Sequence, residues 1–197
     1  MDPFHLPILH TAFSSVQFVP DFGIMPTVEW DYDPDGGVKY TAYRKLSDGR
    51  EVNRISYVHL PHVRIVPSTE LAAGPANTVR WVVPIDDTNM TLFNVGVFPN
   101  DFKPQRRERI PGKKWLEMTA EERQRFPGDW EAQVGQGPIT LHSEEHLASS
   151  DKGIRMLRRL VREQIEIVQK GGDPQGVTFD PTKEVIEVRS GNFFKET

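Results

Sequence analysis

The sequence predicts an α+β fold in which one antiparallel sheet is backed by one long helix. Three observations carry this reading. Short β-like runs alternate with Gly- and Asp-rich turns between Val28 and Phe98. One later segment, DKGIRMLRRLVREQIEIVQKGG, repeats its apolar residues at helical spacing. The length of 197 residues, with 37% hydrophobic and 26% charged residues, suits a globular chain that buries well over half of its unfolded surface.

The elements follow in order. TVEWDY and VKYTAYRKL flank PDGG, a hairpin signal. EVNRISYVHL comes after a second turn, SDGR, and HVRIVP continues beyond Pro61, which lacks a ladder donor and redirects the chain. TVRWVVPI and MTLFNVGVF are separated by DDTN, giving about six strands in all. Residues 101–130 differ: Pro104, Pro111 and Pro127 and many charges mark a long excursion, of the kind that borders sites. Within it Thr119 to Glu122 has the form of a capping box. In the long helix, Ile154, Leu157, Val161, Ile165 and Val168 form one stripe with Leu160 beside it. Ser149 or Ser150 is placed to cap its start, and Gly171 ends it. EVIEV (184–188) is a further strand candidate, and no internal repeat is visible.

Composition narrows the function. No run approaches the roughly 18 apolar residues of a membrane span, and no basic start followed by an apolar stretch marks a secretory leader. The expected location is cytoplasmic. A net charge of -4 argues against nucleic acid as a partner. The basic stretches RRER (Arg106 to Arg109) and RMLRRLVR (Arg155 to Arg162) are local, the second on a solvated helix face. Cysteine is absent, which excludes disulfides, thiolate nucleophiles and an iron–sulfur cluster held by cysteines of this chain.

The six histidines form three pairs, and imidazole is the commonest metal ligand. His142 and His146 lie in HSEEH, which fits a zinc-peptidase pattern with Glu145. The motif is short and no third ligand follows it at a motif spacing, so a turn capped by Ser143 or Thr140 is the simpler reading. His59 and His62 flank Leu60-Pro61 at a strand break and read as sheet-edge residues before they read as a metal pair. His5 and His10 stand five apart, which on a regular helix is about 140° of rotation. They converge only if the helix is disrupted or ends between them, and Pro7 lies there. Two histidines and one carboxylate are the ligand set of non-heme Fe(II) oxygen chemistry. Spacing permits that site without demanding it.

A longer pattern adds to this. The segment D-x-x-H-x-x-x-x-H (Asp2, His5, His10), then WVVPIDDTNMTLFNVGVFP, then PGDWEAQVGQGPITLHSEEHLASSDKGIRMLRRLVREQI, resembles the catalytic domain of Rieske non-heme iron oxygenases. The branch it is most similar to contains phthalate and phenoxybenzoate dioxygenases and aromatic O-demethylases. The resemblance runs from Asp2 to about Gln169. It implies a helix-grip (START-like) fold, an antiparallel sheet around a long helix. It implies that His5 and His10 are the histidine ligands of a mononuclear Fe(II) and that Asp129, in PGDWEAQ, is the third. Spacing alone does not separate Asp129 from Glu131 or Asp101. It gives Asp2 the role of the acid that bridges to a cluster-ligating histidine of a neighbouring subunit. It further implies O2 and a small aromatic substrate, electrons from a reductase or ferredoxin, and a homotrimer in full-length members. Candidate pocket walls are Phe93, Val95 and Val97 or their alternates.

The chain also departs from the family pattern. The family's Rieske domain, which binds a [2Fe–2S] cluster through two cysteines and two histidines, has no counterpart here, nor has the helix that follows it. The expectation is that residues 1–197 are the catalytic domain alone, that Met1 matches an internal methionine of a longer oxygenase, and that a separate Rieske-bearing subunit is needed for turnover. The competing reading is a non-catalytic helix-grip domain that binds an apolar ligand.

Overall fold

The structure is a computed structural model describing residues 2–11, 18–98, 100–101, 110–183, 185, 187 and 189–195. Among the described residues, eight strands form one antiparallel sheet: β1 (Thr27–Asp33), β2 (Gly37–Lys45), β3 (Glu51–His59), β4 (Val63–Ile65), β5 (Gly74–Pro75), β6 (Thr78–Pro84), β7 (Met90–Gly96) and β8 (Gly191–Phe194). The main order is β1-β2-β3-β4-β6-β7, and β8 pairs with both β3 and β5. Among the described residues the α-helices are α1 (His5–Leu9), α2 (Ala120–Arg125), α3 (Asp129–Val134) and α4 (Lys152–Gln169). The α+β expectation holds, and the arrangement is consistent with a helix-grip fold.

The hairpins arise where the turns require them. Gly36 takes φ +97° between β1 and β2, a conformation that costs glycine no Cβ clash, and its N–H donates to the Asp33 carbonyl at 3.1 Å. The SDGR turn likewise has Gly49 at φ +90°. In DDTN, Asp86 accepts from the backbone N–H groups of Thr88 and Asn89. The six longer runs read from the sequence become β1–β4, β6 and β7. The sequence reading did not include β5 and β8. Within EVIEV, residues 184, 186 and 188 lie outside the described residues, and Val185 and Glu187 are not in a strand.

The register defines the two faces of the sheet. Tyr40 lies opposite Ser56, Ala42 opposite Arg54, and Val38 opposite Val58. This is the face covered by α4, where Trp30, Val38, Tyr40, Ala42 and Leu160 form one core cluster. A second cluster, Leu6, Phe22, Leu46, Val52 and Leu71, seats α1 on the same domain. Burial of such side chains contributes about 1.5–3 kcal/mol each.

Two expectations for this region are corrected, and one left open between two faces is decided. Neither Ser149 nor Ser150 caps α4. Asp151 occupies the N-cap position, but no side-chain cap bond is made at the helix start; its carboxylate accepts from the Ala148 N–H at 2.8 Å in the preceding turn. Ile165 and Val168 are exposed, because α4 packs on β1 and β2 through its earlier turns and then runs past them. Phe93, Val95 and Val97 are exposed on the face opposite α4, so they do not line the covered side. The register places their alternates, Leu92 and Asn94, there instead. Gly171, at φ +82°, ends the helix as expected. RRER lies outside the described residues.

Candidate metal centre

The site begins with a local decision at the N-terminus. Asp2 Oδ1 accepts from the backbone N–H groups of Phe4 (2.8 Å) and His5 (3.2 Å), so it satisfies donors that the first turn of α1 leaves orphaned. Pro7 sits in that first turn, where a missing N–H costs nothing. Leu6 and Pro7 are buried and anchor the helix. α1 is one short stretch that ends at Leu9, and His10 is its C-cap, its N–H donating to the Leu6 carbonyl. The helix thus ends between the two histidines, and their rings stand 5.4 Å apart.

The tautomer of His5 follows from its partner. Nδ1 lies 2.5 Å from the Asp2 carbonyl oxygen, which can only accept, so Nδ1 carries the proton. The lone pair is left on Nε2, which faces Asp129 Oδ1 at 3.6 Å. His10 is 2% exposed, its ring lies 4.4 Å from that of Phe18, and its Nε2 is 3.1 Å from the same Asp129 oxygen. The three ligand atoms all lie within 4.8 Å of one another. Metal–nitrogen and metal–oxygen bonds are about 2 Å long, so donors this close can share one ion. Two neutral imidazoles and one carboxylate suit a first-row divalent metal and match the non-heme Fe(II) donor set.

Asp129 is the first residue of α3, over 100 positions beyond His10. Its carboxyl is held below the ordinary carboxylate range, chiefly by hydrogen bonding with His10, against the opposing effect of burial and with help from the charges of His5 and Arg64. Its neighbour Glu131 faces elsewhere. Glu131 Oε2 accepts from the Gly128 N–H at 2.8 Å, and Oε1 accepts from the Trp115 indole at 3.0 Å. The geometry thus brings Asp129, and neither Glu131 nor Asp101, to the histidines.

The other histidines are not brought together with them. Glu145 is held by both terminal nitrogens of Arg158, at 2.5 and 2.6 Å, which ties the loop before α4 to the helix and removes the carboxylate from the zinc pattern. No cap bond from Thr140 or Ser143 to the short turn at His142–Glu144 is seen among the described residues. His59 is buried and stacks on Tyr57 at 5.4 Å, beside a cis Leu60-Pro61 bond. Among the described residues, His5, His10 and Asp129 are the metal-capable group.

Sequence reading passed over two residues near the group. Arg64 and Arg80 are direct partners across β4 and β6. The signal was available in HVRIVP and TVRWVVP, where one arginine interrupts each apolar run.

No family model matches the chain. Curated relatives do. The chain is 45% identical over 196 residues to the phenoxybenzoate dioxygenase subunit alpha of Ectopseudomonas oleovorans, covering 98% of this chain and 47% of that one. It is 36% identical over 160 residues to the tert-butanol monooxygenase / tert-amyl alcohol desaturase oxygenase subunit of Aquincola tertiaricarbonis, covering 73% and 34%. It is 34% identical over 200 residues to the 5,5'-dehydrodivanillate O-demethylase oxygenase subunit of a Sphingobium species, covering 92% and 43%. The chain therefore spans less than half the length of these relatives.

Proposed function

The chain belongs to the family of Rieske-type oxygenase α subunits, and from that premise we propose that it is their mononuclear non-heme Fe(II) catalytic domain, acting on an aromatic compound by ring dioxygenation, hydroxylation or O-dealkylation. The observation that carries the proposal is the grouping of His5, His10 and Asp129, with ligand atoms within 4.8 Å of one another. When bound, Fe(II) supplies oxygen activation at positions that three protein ligands leave open.

The chain's own residues prepare that chemistry. The Asp2 carbonyl fixes the His5 tautomer so that Nε2 is offered to the metal. Burial of the His10 ring against Phe18 fixes its direction. The helix cap at Glu131 and its bond from Trp115 hold the start of α3, and with it Asp129. Asp2 keeps one carboxylate oxygen, Oδ2, clear of the backbone bonds, 3.7 Å from His5 Nδ1. That oxygen is the one suited to bridge to a cluster-bearing partner. The sequence contains no cysteine, so a [2Fe–2S] cluster with cysteine ligands sits on residues outside it. Electrons then come from a Rieske-bearing unit and its reductase or ferredoxin.

Anaerobic Fe(II) titration of the purified chain tests the reading. One iron per chain is expected, lost in both His5→Ala and Asp129→Ala. Binding that survives in both variants, or no binding by the unaltered chain, would reject it.

A further inference from the structure

The two outer strands of the sheet are finished differently. Its main path runs from β1 to β7, and among the described residues each of these pairs on one side only, β1 with β2 and β7 with β6. An open edge offers unpaired N–H and C=O groups to another chain, and proteins guard such edges with charge, proline, bulges or brevity. β1 is guarded: Glu29, Asp31 and Asp33 recur at every second residue. β7 is not. Its seven residues, MTLFNVG, hold no charge and no proline, and its register with β6 is unbroken from Met90 to Gly96.

The register decides which backbone groups are left over. The Val97 N–H donates to the Asn77 carbonyl at 2.9 Å, and the Ile85 N–H donates to the Asn89 carbonyl at 2.9 Å. Hydrogen-bonded pairs alternate along an antiparallel ladder. The odd-numbered residues of β7 therefore turn their backbone groups toward β6, and Met90, Leu92, Asn94 and Gly96 present theirs to the open edge. The side chains there are apolar on both faces. Met90 and Leu92 are exposed on the α4 side, and Phe93, Val95 and Val97, at 56%, 57% and 77% exposure, on the other. These five side chains expose roughly 500 Å², as much as the largest apolar patch of a typical monomer, and such patches are often functional.

We propose that β7 pairs with β7 of a second copy of this chain, antiparallel, about a two-fold axis at Phe93. Phe93 is the midpoint of the strand, so only this register pairs all seven residues. It sets Leu92 against Asn94 of the partner subunit and Met90 against Gly96 of the partner subunit, each pair with its free N–H and C=O groups facing. The two Phe93 rings then meet on the apolar face. A second copy fits because an uncharged strand meets itself without repulsion, whereas a charged partner finds no opposite charge to hold. The pairing also stops at two copies. The joined sheet ends in β1 on both sides, and two β1 edges would bring carboxylates together. Fully covered, the two patches amount to roughly 1,000 Å², the low end of specific interfaces, which makes the dimer a reversible one. The inference does not rest on the proposed function.

The test is sedimentation equilibrium of the full 197-residue chain from low to high micromolar concentration. A monomer–dimer equilibrium is expected. Phe93→Lys puts like charges at the axis and should raise the dissociation constant at least about tenfold. An equal mixture of Phe93→Lys and Phe93→Glu chains should restore association. Asn94→Pro removes an N–H that β6 does not use, so it should abolish the dimer while circular dichroism shows the fold retained. One arm needs no variant. In the unaltered chain, amide exchange at Leu92 and Asn94 should slow as concentration rises, while Phe93 and Val95, already bonded to β6, change little. A single-chain mass at every concentration overturns the inference. So does a trimer or an open-ended series, a dimer that survives both Phe93→Lys and Asn94→Pro, or concentration-dependent protection of the odd-numbered amides in place of the even ones.

Discussion

At the scale of single residues, the site turns on two acids two positions apart. Asp129 and Glu131 look alike in PGDWEAQ, and spacing did not choose between them. The folded chain gives them different tasks. Asp129 turns to His5 and His10, while Glu131 closes the start of α3 and accepts the Trp115 indole. Replacing Glu131 with alanine leaves the buried Gly128 N–H and the indole without that acceptor. The expected cost is about 1–3 kcal/mol of stability, read as a lower denaturant midpoint, with one iron still bound. Loss of iron in Glu131→Ala together with retention in Asp129→Ala would reverse the assignment. Asp2 shows a similar limit of sequence reading. Its carboxylate was legible as an acid near the histidines. That its carbonyl, too, would set the His5 tautomer was not, because a backbone contact leaves no trace in residue type.

At the scale of elements, what was legible depended on whether the cause was local. The β1–β2 and β2–β3 turns announce themselves through PDGG and SDGR, because their backbone geometry needs glycine. The Thr119–Glu122 box forms as read, with reciprocal bonds of 3.2 and 2.7 Å. β8 was invisible. GNFF has little strand propensity at its first two positions, and it is fixed by tertiary bonds such as Arg54 to Asn192 and Ser190 to the Ile55 carbonyl. The stripe on α4 was read correctly as a pattern, yet its last turns outrun the sheet, and no pattern in a helix reports the width of its partner. The tight point of this packing is Gly153. A Cβ there would come within 2.0 Å of the Trp30 ring. Alanine normally favours a helix interior by about 1 kcal/mol over glycine. At this position overpacking, typically about 1–3 kcal/mol, should outweigh that gain. Gly153→Ala is thus expected to lower the melting temperature, and an unchanged or higher value would mean that α4 sits farther from β1 than described.

At the scale of the whole molecule, the donors come from both ends of a long loop. His5 and His10 stand on α1, at the start of the chain, and Asp129 stands on α3. Between them lies most of the sheet, so no window of sequence could display the site as one motif. Arg64 and Arg80 were hidden for the same reason, since their meeting depends on how β4 and β6 pair. An ion shared by these donors would join distant segments, with an energetic consequence. A ligand that binds the folded state at about a hundredfold excess over its dissociation constant adds about 2.7 kcal/mol. That stabilisation should be uneven. α1 and α3 are short and contribute few buried residues, so they draw least on the core and gain most from being linked. The strands β2 and β3, which supply much of the core, should already be well protected against hydrogen exchange. Adding Fe(II) under anaerobic conditions should therefore slow amide exchange in α1 and at the start of α3 while leaving β2 and β3 nearly unchanged. The effect should vanish in His10→Ala. Uniform protection across the sheet, or protection centred on residues 142–146, would place the ion elsewhere and sink the shared site.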